Sequence, residues 1–343
     1  MKTIKYLLMG FAAILFISCQ SEETVIIQDT TQNLTAASPL TDLISRVSQN
    51  PTSKDNVLDN SSCFTVQLPV DVIVNGTQIT VSDQNDYVTV QDALDAFSDD
   101  DDIVNFVFPI TVQYQNFNTQ LIADSDQLEE VMNNCDEDDG FDEIDCVSLN
   151  YPIKIDVYNA DNQIANTVSM ENDTDLYNFL ENIESNEFIS ISYPVSLIDS
   201  NGQNVVITSN SDFEDSIEDS IKDCDDSSGA GGSADFISSL TDGTWSVSYF
   251  FNNVDETPNY KDYTFTFNSD GTIVAINGTT SIVGTWSTFV DSGQELFLIK
   301  FDDSRLDELK EDWRIAEYST TNIRLKNESS SGGETEYLYF TKN

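Results

Sequence analysis

Four short segments of the chain share one pattern: Leu68-Pro69-Val70-Asp71-Val72, Phe108-Pro109-Ile110-Thr111-Val112, Tyr151-Pro152-Ile153-Lys154-Ile155 and Tyr193-Pro194-Val195-Ser196-Leu197. Their prolines stand 40, 43 and 42 residues apart and are four of the seven in the chain. A period of this length marks a supersecondary unit used repeatedly. Proline has no donor for a sheet ladder, so each one marks a strand's first residue or an edge. The alternating residues after it reach polar turns such as Asn75-Gly76 and Asn201-Gly202, a dipeptide suited to tight hairpins. Second strands follow, as in Gln78-Ile79-Thr80-Val81 and Asn204-Val205-Val206-Ile207. Helices with polar caps come next: Asp124-Ser125-Asp126 precedes Leu128, Val131 and Met132, and Ser211-Asp212 precedes Phe213, Ile217 and Ile221. The predicted unit is a β-hairpin followed by a helix, four times over.

The cysteines keep a longer period. Cys63 lies six residues before Pro69 and Cys146 six before Pro152, while Cys135 and Cys224 close the helices of the second and fourth units. Two tandem modules follow, 63–135 and 146–224. An even set of four in an exported chain points to disulfides. Symmetry favours Cys63–Cys135 and Cys146–Cys224, with Cys135–Cys146 as the alternative. Each symmetric bridge would contribute on the order of 4 kcal/mol by closing a long loop.

The fifth cysteine ends the run Leu15-Phe16-Ile17-Ser18-Cys19, behind Lys2, Lys5 and the 12 apolar residues from Tyr6 to Ile17. That stretch is short of the ~20 residues that span a bilayer and has the order of an export signal. It resembles a bacterial lipoprotein signal, although Phe16 and Ile17 replace the usual leucine and small residue. The resemblance implies a signal peptide over 1–18, lipid attachment at Cys19, and contact with the membrane through that anchor. Gln20-Ser21-Glu22-Glu23 resembles the acidic surface-export signal of Bacteroidetes lipoproteins. It implies an outer-membrane lipoprotein facing the cell surface, with the periplasmic face as the alternative. Residues 19–60 read as a polar tether, within which Leu40, Leu43, Ile44 and Val47 predict one amphipathic helix packing on the next domain.

Lys and Arg total 14 against 61 Asp and Glu, a net charge of −47. Such a field repels nucleic acid and favours solubility. Histidine is absent, which removes Ser-His-Asp and Cys-His mechanisms and His-ligated zinc. No pair among the 61 acids stands out for carboxylate-pair hydrolysis, so no enzyme is expected. The runs Asp99-Asp100-Asp101-Asp102 and Asp136–Glu143 offer oxygen ligands that suit calcium. The second run lacks EF-hand spacing, and 35 acids against two lysines between 63 and 224 make such clusters a matter of composition. No cofactor is expected, calcium being the one candidate.

Asp225-Asp226-Ser227-Ser228-Gly229 and the glycines after it form a linker over 225–235. Beyond it, residues 236–343 hold all three tryptophans and eight of the 14 basic residues. Strand signals recur at 244–251, 263–268, 272–276, 282–289, 296–301, 323–326 and 336–341, with one helix expected over 304–313. Many short antiparallel strands favour a closed barrel. Gly243-Thr244-Trp245, Gly284-Thr285-Trp286, Leu309-Lys310-Glu311-Asp312-Trp313 and Ile323-Arg324-Leu325-Lys326 resemble the small lipocalin-like domains of Bacteroidetes lipoproteins. The resemblance implies a barrel that holds a small apolar ligand, with Tyr249, Phe265, Phe267, Trp286 and Phe301 as candidate lining. The opposing expectation is that Trp245 and Trp286 plug it. The fold class is thus multidomain: α+β tandem repeats, then an antiparallel lipocalin-like barrel. The function expected is non-enzymatic binding of an extracellular protein, glycan or small apolar ligand, with apolar-ligand carriage or a structural envelope role as alternatives.

Overall fold

The computed structural model describes residues 33–61, 63–96, 103–135, 143–158, 163–184, 187–224, 233–291, 294–328 and 335–343. The export-type segment, Cys19, the acid run 99–102 and all of the second run but Glu143 lie outside them. The first half runs α1 (Pro39–Val47), a 3-10 turn (Ser53–Asp55), α2 (Asn56–Asp59), β1 (Phe64–Val66), β2 (Val70–Val74), β3 (Thr77–Val81), α3 (Tyr87–Leu94), β4 (Val104–Phe106), β5 (Ile110–Tyr114), β6 (Thr119–Ile122) and α4 (Ser125–Cys135). Then come β7 (Ser148–Leu149), β8 (Ile153–Tyr158), β9 (Ile164–Met170), α5 (Asp173–Glu181), β10 (Phe188–Ile191), β11 (Val195–Ile198), β12 (Asn204–Ile207) and α6 (Asn210–Cys224).

Each proline joins two strands that lie in different sheets. β1 pairs with β5 to give the order β1-β5-β6, and β4 pairs with β2 to give β3-β2-β4. Likewise β7 joins β11-β12 and β10 joins β8-β9. The self-contained hairpin-helix unit expected from the sequence is therefore corrected. Each hairpin borrows a third strand from its neighbour, and lends one back. Proline ends one ladder without leaving a donor to satisfy, and the residue two before it makes the last ladder bond. Gln67 N–H donates to Thr111 O, Val107 to Asp71, Asn150 to Ser196 and Ser192 to Lys154, all at 2.8–3.0 Å. The four X-Pro peptides at these crossings are cis.

The helix starts are equally alike. The cap residues Asp83, Asp124, Asn172 and Ser209 each accept from a backbone N–H two or three residues on. Asp86, Gln127, Asp175 and Asp212 each accept the backbone N–H four residues back. Polar groups at a helix N-terminus thus satisfy donors the helix cannot. Five of the chain's acids serve this purpose.

Alternation along the strands buries one face only. Val70, Val72 and Val74 join Val90, Ile110, Val112, Ile122 and Val131 in one core. Ile153, Ile155, Leu176, Leu197, Phe213 and Ile217 lie in a second. The helix predicted from Leu40, Leu43, Ile44 and Val47 forms, but it packs in that second core, against α5 and α6. The tether of 19–60 is therefore corrected: from Leu34, which pairs with Ile189 as an isolated bridge, the chain belongs to the folded body.

The last unit contains α7 (Ser233–Thr241), β13 (Trp245–Asn252), β14 (Val254–Asp255), α8 (Thr257–Tyr260), β15 (Thr264–Phe267), β16 (Thr272–Asn277), β17 (Thr280–Asp291), β18 (Gln294–Phe301), β19 (Asp312–Tyr318), β20 (Asn322–Asn327) and β21 (Glu336–Lys342). Eight strands close an antiparallel barrel through β13–β21 pairing, with β14 appended to β13. α7 starts inside the stretch read as linker, and its Phe236 and Leu240 are buried in the barrel core. The helix expected over 304–313 is a 3-10 turn at Asp307–Leu309, after which β19 begins. Leu306 and Leu309 are core residues of that turn, and two apolar positions imitate a helical period. Trp313 is a strand residue, its Nε1–H donating to Leu309 O at 3.0 Å.

Candidate functional site

A ligand carried in the barrel would need open space among its inward side chains. Phe265, Phe267, Trp286 and Phe301 all point into its core, where rings fill the space. Phe267 meets Phe297 at 5.8 Å and Phe340 at 5.7 Å between centroids, and Phe265 meets Phe340 at 5.5 Å. Trp286 donates its Nε1–H to Asn268 O and Thr272 O at 3.0 and 3.1 Å, and Trp245 donates to Leu240 O at 2.8 Å. Tyr249 departs from the other four candidates. It alternates away from buried Val247 and Phe250 and lies with Phe251, Tyr337 and Tyr339 on the outer wall, because a bulge shifts the β13–β21 register between Val247 and Tyr249.

A polar cleft of about 470 Å³ opens instead on the first module. One wall is the end of edge strand β1 and its continuation, Thr65 to Leu68; the other is the turn carrying Lys54 and Asp55, with Gln84 and Tyr87 at the mouth of α3. Asp55 is only 1 % exposed. Its Oδ2 accepts the Val66 N–H at 2.6 Å on the free edge of β1, and its Oδ1 has no partner among the described residues. One turn on, Asp59 accepts the Ser61 N–H through Oδ1, and its buried Oδ2 is likewise unpartnered.

These orphan oxygens have an electrostatic signature. Burial pushes the Asp55 carboxyl up to about 6 against the pull of its bond from Val66. Burial, reinforced by the neighbouring Asp55 charge, pushes Asp59 up to about 8. Burial and the two carboxylates raise Tyr87 to about 12, so its hydroxyl remains a donor at any ordinary pH. At neutral pH the cleft wall thus carries one carboxylate, Asp55, and one ammonium, Lys54. Amides supply the rest: Asn50, Gln67, Gln84 and Gln113 all line it. Asn50 Nδ2–H already bridges to Thr65 Oγ1 and Gln113 O at 3.0 and 3.2 Å.

No protein-family model, characterised protein or solved structure matches this chain.

The cleft lies at the one of these four strand starts whose residue before proline is not aromatic. Phe108, Tyr151 and Tyr193 precede their prolines, whereas Leu68 precedes Pro69. In the second module Tyr151 O–H donates to Asp173 at 2.6 Å and Tyr193 O–H to Asn210 at 2.7 Å, tying strand to helix start. Leu68 has neither ring nor hydroxyl to reach the equivalent Gln84. That break in the pattern was the sequence signal for the site. The pair Asp55 and Asp59 carried none, since two acids in a run of polar residues look solvated.

Cys63 and Cys146 are each disulfide-bonded, and the side chains of Cys135 and Cys224 lie outside the described residues. Cys63 packs against the first core and Cys146 against the second. Cys146 Sγ lies 3.9 Å from Ser220 O, one helical turn before Cys224. Among the described residues no group of three or more His, Cys, Asp or Glu could hold a metal ion, and no helix is long and apolar enough to cross a membrane. The calcium candidates 99–102 and 136–142 lie outside those residues.

Proposed function

We propose that this chain is a lipid-anchored protein of the cell envelope, held at the outer membrane by Cys19 and facing the cell surface, that binds a ligand in the first-module cleft and does no chemistry on it. The observation that carries the binding role is the polar cleft itself, walled by the buried Asp55, whose Oδ1 is unpartnered among the described residues. A buried acceptor without a partner costs roughly 1–3 kcal/mol, and such groups concentrate where proteins bind ligands. The address rests on Lys2, Lys5, the apolar run and Cys19. In this reading residues 63–224 are two repeat modules, stapled by Cys63–Cys135 and Cys146–Cys224. Their symmetry and the nearness of Cys146 to the last turn of α6 support that pairing. The barrel is a lipocalin-like scaffold, and the ring contacts inside it favour a plugged core over apolar-ligand carriage.

Protease shaving of intact cells, with peptides identified without reduction, tests the address and the staples together. Peptides from 63–224 are expected in the shaved fraction, with Cys63 linked to Cys135 and Cys146 to Cys224. Release only after lysis would move the protein to the periplasmic face. Turnover of any ligand that disappears with a single carboxylate change would replace binding with catalysis.

A further inference from the structure

The chemistry of the cleft also selects a ligand class. We infer that it takes a neutral, hydroxyl-rich ligand of about one or two sugar rings, whose hydroxyls exchange hydrogen bonds with the amides of Gln67, Gln84 and Gln113 beside the buried Asp55 carboxyl. This rests on the reading of the cleft as the binding site.

Three features converge on it. A carboxamide offers both a donor and an acceptor, as a hydroxyl does, so a wall rich in Asn and Gln matches a polyol and leaves an apolar ligand with unpaired polar atoms around it. The Asp55 carboxylate, holding the Val66 N–H at 2.6 Å, fixes the strand edge on which Gln67 stands, through a charge-assisted bond. Tyr87 adds a half-buried ring at the mouth, an apolar face for the C–H side of a pyranose. Charge excludes the nearest competitors. Lys54 and Asp55 offset each other within the cleft, so it holds no unpaired charge to single out a cationic ligand, and the net −47 of the chain repels uronates and sulfated sugars. The volume of about 470 Å³ lies within the range usual for small-ligand sites, roughly 300–1,000 Å³.

The test is calorimetric titration of the full chain with neutral hexasaccharides (gluco-, xylo-, manno- and N-acetylglucosamine series), oligogalacturonate and a lysine-rich peptide. At least one neutral hexasaccharide is expected to bind, and its affinity should fall as pH drops from 7 to 5 and Asp55 gains a proton. Asp55→Asn should weaken binding at least tenfold. Leu68→Tyr, which restores the residue type of the second module, should close the cleft and abolish it; circular dichroism melting checks that each variant is folded. Binding confined to oligogalacturonate or the peptide, and lost in Leu68→Tyr, would overturn the ligand class and keep the cleft. Sugar binding that both variants retain would place the site elsewhere. Silence across the whole panel would sink the inference and the cleft reading together.

Discussion

Asp59 sits behind the cleft wall at 8 % exposure, and its consequences reach the stability of the whole first module. Both Asp55 and Asp59 hold protons more tightly in the folded state than the ordinary carboxyl near 4, being raised to about 6 and about 8. Folding therefore favours the protonated forms, and stability falls as pH rises through these values. At pH 8.5 both contributions are lost, on the order of a few kcal/mol at about 1.4 kcal/mol per pKa unit. Asp59→Asn keeps the Oδ1 acceptor for Ser61 and removes the ionisation. Its melting temperature, followed by circular dichroism, is expected to exceed wild type at pH 8.5, by a margin that shrinks as pH falls toward the unfolded carboxyl value near 4. An unchanged slope between those pH values would show that Asp59 is solvated. Gly284 is a second residue with one role. A Cβ there would stand 2.3 Å from Lys300 O and 2.6 Å from the Phe301 ring. Gly284→Ala should cost the barrel about 1–3 kcal/mol or more, read as an earlier tryptophan-fluorescence transition.

Among the elements, α1 and α6 do the work of joining the barrel to the second module. Arg46 of α1 forks onto Glu317 of β19 at 2.8 and 2.9 Å, and Arg324 of β20 reaches back to Asp42 at 2.6 Å. Lys326, 2 % exposed, donates to Asp215 at 2.8 Å and Glu218 at 3.2 Å of α6. Tyr337 O–H closes the set on Glu214 at 2.8 Å. Removing one partner of a buried ion cluster leaves the others uncompensated. Lys326→Ala should therefore destabilise the seam by roughly 3–5 kcal/mol, detected as separate melting of barrel and module. Ile44→Ala, deleting a 2 %-exposed side chain, should cost about 2–5 kcal/mol and fall on the second module. Hydrogen exchange would locate that loss; protection lost around Val70–Val81 instead would contradict the packing of α1. The alternation in 63–224, the turns and the caps made these elements legible from residues alone. Partnership was not legible. Nothing local to Phe64-Thr65-Val66 distinguishes pairing with β2 from pairing with β5, because an alternating strand fits either ladder. Ile323-Arg324-Leu325-Lys326 likewise reads as an exposed strand, until α1 and α6 supply the acids its outer face meets.

For the whole molecule, the seam decides how a charge of −47 is tolerated. Arg46, Arg314, Arg324 and Lys326 are four of the 14 basic residues; Arg46 and Lys326 are buried, Arg314 and Arg324 partly so, and all are paired with carboxylates, where salt screens less than at an open surface. The remaining acids repel each other across solvent, where salt screens strongly. Raising NaCl from about 10 to 500 mM is thus expected to raise the melting temperature; a fall would show that the surface pairs, not repulsion, dominate. The path of the chain has a further result. Apolar residues between Leu34 and Val47 belong to the second core, as do those between Ile144 and Ile217, and the two crossings meet where Ile144 N–H donates to Arg46 O at 3.2 Å. The first module is consequently a loop spliced into the second, leaving and returning at one point. Tension between the N-terminal lead and the barrel would run through α1 and the seam and leave the first module slack. A pull on something held in its cleft would be shared by two parallel lengths of backbone, each bearing half the load.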